Sequence, residues 1–60
     1  MEIALVGRAA EHGCELVVEQ IDHGLWRAAL KTPAGAIRLS AANVDRDVAL
    51  RTLYDAGPPR

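Results

Sequence analysis

Three side chains in this sequence could hold a soft metal or take part in thiol and proton chemistry: His12, Cys14 and His23. A structural zinc site takes four such ligands, and a catalytic one takes three plus an open position. His12 and Cys14 flank Gly13, and no further ligand stands beside them. The pattern fits a histidine at a helix end and a small buried thiol better than a metal centre. Glu11 next to His12 is an acid beside a base, but adjacency along the chain does not set up proton transfer, which needs hydrogen-bond geometry to a substrate. There is no activated-nucleophile motif, no Gly-rich phosphate loop and no paired-carboxylate signature. A chain of 60 residues also has little room for a substrate cleft. These observations predict no enzyme, no cofactor and no metal.

The remaining candidates are cations. Arg27, Lys31 and Arg38 could meet phosphate if the fold places them on one face. Glu15 and Glu19 are placed to dilute them, and three cations among carboxylates make a weak electrostatic footprint for nucleic acid.

The elements that position these residues centre on 15–41. The segments ELVVEQI, LWRAALK and IRLSA alternate apolar and polar residues as strands do. Asp22-His23-Gly24 reads as a three-residue hairpin loop, with Gly supplying the left-handed conformation such a loop ends on. That register sets Ile21 against Leu25, Glu19 against Arg27, Val17 against Ala29 and Glu15 against Lys31. The opposite face then collects Leu16, Val18, Gln20, Trp26, Ala28 and Leu30. A two-residue His-Gly loop would shift the pairing by one and place Glu19 on the Trp26 face, so the apolar pattern favours the longer loop. Thr32-Pro33-Ala34-Gly35 is the second turn. Setting Leu39 opposite Leu30 adds Ile37, Leu39 and Ala41 to the buried face and leaves Arg38 and Ser40 on the other. On this reading Trp26 anchors the core.

Residues 2–12 can be read as a helix with Ile3, Val6, Ala9 and Ala10 on one side and Gly13 as its stop. Gly7 in mid-helix and the run Ile3-Ala4-Leu5-Val6 leave a fourth strand as the alternative. Residues 44–56 form the clearer helix, with Asn43 as N-cap, acids in the first turns, and Asp47–Arg51 and Arg51–Asp55 as i,i+4 pairs. Ala49, Leu50, Leu53 and Ala56 make its apolar stripe, and Gly57-Pro58-Pro59 stops it. The expected architecture is α+β: a three-stranded antiparallel meander over roughly 15–22, 25–32 and 36–41, a C-terminal helix and a short N-terminal one, in a single domain over 1–60 with a frayed tail at 58–60.

Composition sets bounds on this fold. Half the residues are hydrophobic, but eleven are Ala, there is no Phe, and Trp26 and Tyr54 are the only aromatics. Such a core leaves little surplus over chain entropy, so association with a second chain is expected. A lone cysteine cannot form an internal disulfide and agrees with a reducing compartment. The N-terminus lacks the shape of a signal peptide and no apolar run is long enough for a membrane span. Net charge is −1, without a basic or acidic tail. A cytoplasmic protein is expected, and the Ala- and Arg-rich usage suggests a bacterial or phage source.

The order helix–three strands–helix resembles the double-stranded RNA-binding domain and small toxins of that shape. That family docks phosphate on a Lys-rich start to its last helix, where this chain has Asn43-Val44-Asp45-Arg46-Asp47. Strand–strand–strand–helix resembles the partial RNase-H-like fold of HicB-type antitoxins, whose Pro/Gly-containing segment before the helix this chain lacks. Both likenesses are of element order alone.

The sequence therefore predicts a small non-enzymatic protein-interaction domain using one face or edge of its sheet, with a homodimer among its forms. The residues expected to meet the partner are Val17, Ile21, Leu25, Arg27, Ala29, Lys31 and Arg38. The alternative is a small nucleic-acid-binding regulator or antitoxin-like protein using Arg27, Lys31 and Arg38. No membrane partner is expected.

Overall fold

Residues 15–43 fold as a meander because their alternation offers one apolar face and because each turn carries a glycine able to take a positive φ. A computed structural model describes residues 1–57 and contains α1 (Glu2–Glu11), β1 (Glu15–Asp22), β2 (Leu25–Lys31), β3 (Ile37–Asn43) and α2 (Arg46–Asp55). The strands form one open antiparallel sheet in the order β1-β2-β3. This is the α+β meander expected from the sequence, and 2–12 is helix rather than strand. The expected frayed tail at 58–60 lies outside the described residues.

The expected pairing holds across the body of the first hairpin, where Glu19 stands opposite Arg27, Val17 opposite Ala29 and Glu15 opposite Lys31. The turn is built differently. β1 runs on to Asp22, which pairs with Leu25 across a two-residue His23-Gly24 connection, with Gly24 at φ +85°. Ile21 is the extra residue, so it does not face Leu25 as expected. A one-residue bulge absorbs the shift that the short loop would otherwise impose on the whole strand.

The second hairpin uses the same device. Leu30 faces Leu39 as expected, but Lys31 pairs with Ile37 and Arg38 becomes the extra residue. The turn is closed by backbone bonds from Thr32 N to Ala36 O and from Gly35 N to Thr32 O, each 2.8 Å. Directly opposite residues share a face, so Ile37 joins Lys31 on the side away from the helices. It is 46 % exposed there and does not belong to the buried set.

Both helices pack on the face that carries Leu16, Val18, Ala28, Leu30, Leu39 and Ala41. The core cluster joins Leu5 and Ala9 of α1, Ala28 and Leu30 of β2, and Ala49, Leu50 and Leu53 of α2. α1 lies over β1, and α2 over β2 and β3. At their ends, Arg46 donates to Glu2 Oε1 at 2.7 Å and Arg8 donates to the Tyr54 carbonyl at 2.7 Å, so the helices run in the same sense. The Arg8 guanidinium also sits 4.0 Å from the Tyr54 ring centroid. A cation at the last carbonyls of α2 adds to the bond from Gly57 N on the same oxygen and complements the helix dipole.

Four helix details differ from the sequence reading. α1 buries Leu5 and Ala9, while Ile3, Val6 and Ala10 face solvent. α2 begins at Arg46, because the β2–β3 ladder continues through Asn43 opposite Trp26. Asp45 is the N-cap, its carboxylate accepting from Asp47 N and Val48 N, while Asn43 Oδ1 accepts from Asp45 N at 2.9 Å. The expected Asp47–Arg51 and Arg51–Asp55 pairs are not among the ion pairs of the described residues. An exposed pair of this kind gains too little to hold two mobile side chains together.

Trp26 keeps the expected phase but not the expected depth. It lies on the helix side at the hairpin end of β2, between Gln20 and Asn43, and is half-buried outside the core cluster. Arg46 covers part of it, with the guanidinium 5.9 Å from the ring. The fully buried large side chains are Leu5, Leu30 and Leu53. Leu30→Ala is therefore expected to cost about 2–5 kcal/mol, and Trp26→Ala about 2 kcal/mol. Urea denaturation followed by circular dichroism measures both. A Trp26 variant less stable than the Leu30 variant would contradict this core.

Candidate functional site

With both helices on one side, the other face of the sheet is left without a covering layer. β2 supplies Leu25, Arg27, Ala29 and Lys31 to it, and β1 supplies Glu15, Val17 and Glu19 in matching rows. On β3, Ala42 stands opposite Arg27, Ser40 opposite Ala29 and Ile37 opposite Lys31. The sheet thus brings six of the expected contact residues, Val17, Leu25, Arg27, Ala29, Lys31 and Arg38, to one region. Five of them lie on the open face by alternation, and Arg38 sits in the bulge beside Ile37. Ile21 occupies the other bulge and is 42 % exposed, with Asp22 in the place opposite Leu25.

The face is less greasy than the row of apolar names implies. Ala29 is only 1 % exposed although no helix lies over it. A methyl on a central strand is shielded by the taller side chains around it. Val17 and Leu25 are half-buried. Arg27 is joined to Glu19 across the strands in a short charge-assisted hydrogen bond, and its Nε is buried without a hydrogen-bond partner among the described residues. The charges are sorted by strand. Glu15, Glu19 and Asp22 line the outer strand β1, whereas Arg27 and Lys31 stand on the central one and Arg38 on β3. Adding Asp22 balances the cations, which makes the face bipolar rather than basic.

The fold does not assemble the soft ligands. His12 and Cys14 sit before β1, where the Cys14 thiol lies 3.6 Å from the His12 carbonyl oxygen, and Cys14 packs against the core edge. His23 is beyond the far end of β1, an eight-residue strand about 26 Å long. Among the described residues no group of three metal-binding side chains comes together, no cavity is present and no helix is long and apolar enough to cross a membrane.

The largest exposed apolar residues are elsewhere. Ile3 is 89 % exposed, Val44 75 %, Met1 55 % and Val6 52 %. The outer side of α1 was not expected as a surface, because Ile3 and Val6 were set on one side with Ala9, which is buried. The available signal was that apolar residues lie around most of this helix, so one side had to remain uncovered.

No family model, curated protein or solved structure matches this chain. The geometry is therefore the sole ground for a functional reading. For nucleic acid that ground is poor. Glu19 already occupies Arg27, and Asp45 and Asp47 guard the start of α2, the end of a helix that would otherwise attract phosphate. An electrophoretic shift assay with generic duplex RNA and DNA is expected to give no complex at protein concentrations near about 10 μM, at low or moderate salt. Micromolar binding that weakens steeply with salt would contradict this.

Proposed function

We propose that this chain is a small non-enzymatic protein-interaction domain that acts through the open face of its β-sheet. The observation that supports the reading is the placement of both helices on the same side, which leaves Val17, Leu25, Ala29 and Ile37 uncovered by any other element. Apolar residues set among charged ones are the usual make-up of a recognition surface. The fitting partner is a polypeptide that presents apolar side chains to the Val17–Leu25–Ile37 region and a carboxylate to Lys31, the central-strand cation that Glu19 does not occupy. A second copy is the alternative occupant, since one patch would then serve both subunits. The nucleic-acid reading through Arg27, Lys31 and Arg38 has no comparable support, because the same face holds three carboxylates.

A photo-crosslinking residue placed at Val17 in the native host tests this, with one at the exposed helix position Thr52 as control. The expected result is one defined adduct from position 17 and none from position 52, with the position-17 adduct lost in a folded Leu25→Glu variant. An adduct of two copies of the chain would identify the partner as a second copy. Equal adducts from both positions, or an adduct indifferent to Leu25→Glu, would overturn the sheet-face assignment.

A further inference from the structure

The outer side of α1 carries Ile3, Val6, Gly7 and Ala10, which is the i, i+3, i+4, i+7 spacing of one helix face. All four are exposed, Ile3 at 89 % and Val6 at 52 %. This stripe lies on the side of α1 away from Leu5 and Ala9, and away from Arg8, which faces α2. Gly7 stands out within it. A glycine in a helix interior costs about 1 kcal/mol relative to Ala, and nothing in the monomer requires one here. Gly7 is absent from the positive-φ glycines, and a Cβ built on it meets no atom within 4 Å.

The order of the four residues supplies a use for it. In an antiparallel pair of α1 helices related by a two-fold axis between positions 6 and 7, Ile3 meets Ala10 of the second copy and Val6 meets Gly7. Each bulky side chain then faces a small one, and the glycine lets the backbones approach closely. The charges suit the same arrangement. The N-terminus of α1 has no side-chain cap, and antiparallel pairing brings the other copy's Glu11 to that electropositive end. Glu2, which would repel it, is already paired with Arg46 at 2.7 Å. We propose that a second copy of this chain docks on the Ile3–Val6–Gly7–Ala10 face of α1, which forms an antiparallel two-helix dimer and leaves both open sheet faces free. This goes beyond the sheet-face reading and does not rest on it.

A helix of ten residues is about 15 Å long, so the contact falls short of the roughly 800 Å² per partner of a standard interface. The dimer is accordingly expected to be reversible, with a dissociation constant between about 10 μM and about 1 mM. Sedimentation equilibrium across that range tests it on the wild type and three variants. Gly7→Leu puts bulk into the contact and should weaken association at least about tenfold, while raising the melting temperature because leucine is the better helix former. Ile3→Lys should abolish association without loss of fold, since the residue is exposed. Val17→Glu, on the sheet face, should associate as the wild type does. A wild type that stays monomeric up to about 1 mM would overturn the proposal. So would a dimer indifferent to Gly7→Leu and Ile3→Lys, or one that only Val17→Glu dissolves.

Discussion

The structure depends on one row of leucines. Leu16, Leu30 and Leu39 stand side by side across the three strands, and both helices rest on that row. Leu30 at its centre is fully buried, with Leu5 of α1 and Leu53 of α2 buried in the same cluster. The chain has no Phe and its Trp lies at the margin, so there is no second apolar centre to support a second layer. A small domain with one modest core must place its helices together to exclude water at all. The uncovered sheet face follows directly from that scarcity: α1 on the far side would leave the β1 end of the leucine row without cover.

The two hairpins protect this row. Each turn has a length that, taken alone, would slide its strand by one residue and exchange the faces. Ile21 in β1 and Arg38 in β3 take up the difference as bulges. The pairing of Leu30 with Leu16 and Leu39 is thus preserved, and the irregularity falls at the strand ends on the outer strands. Bulges there also spoil a regular edge, which lessens the risk of uncontrolled strand pairing.

This explains which features were legible in the sequence. The face of each strand could be read, because period-two alternation is decisive over a strand's middle and only one register gives an apolar side. The strand ends could not. Ile21 and Ile37 looked like continuations of the alternation, and the bulges that displace them arise from loop closure rather than from side-chain pattern. In α1 the difficulty was rotation. Ile3, Leu5, Val6, Ala9 and Ala10 offer apolar residues around most of the helix, so hydrophobic spacing does not select a side. Arg8 selects it. Its contacts with the Tyr54 carbonyl and ring hold one side of the helix toward α2 and turn Leu5 and Ala9 inward. That contact spans 46 positions, and no local pattern announces it. The candidate face itself was legible where it rested on strand alternation, and Asp22 entered it only because of a bulge.

The two exposed surfaces differ in whether they suit a second copy. On α1 the residues are ordered so that large meets small when the helix is inverted upon itself. On the sheet the order works against self-stacking. A two-fold axis that passes over β2 lays central strand over central strand. Arg27 and Lys31 would then approach their own copies, in a setting where Arg27 Nε is already buried and unsatisfied among the described residues. Removing like charges from water against each other is unfavourable in that arrangement. A foreign chain is not bound by that symmetry and can present a carboxylate to Lys31, which belongs to none of the ion pairs of the described residues. Two self-complementary faces on one chain would also link copies without limit, whereas one such face and one that rejects itself give a closed pair with two sheet faces turned outward. Under the two proposals, the charge on the central strand is what separates the two surfaces into one for self-association and one for a partner.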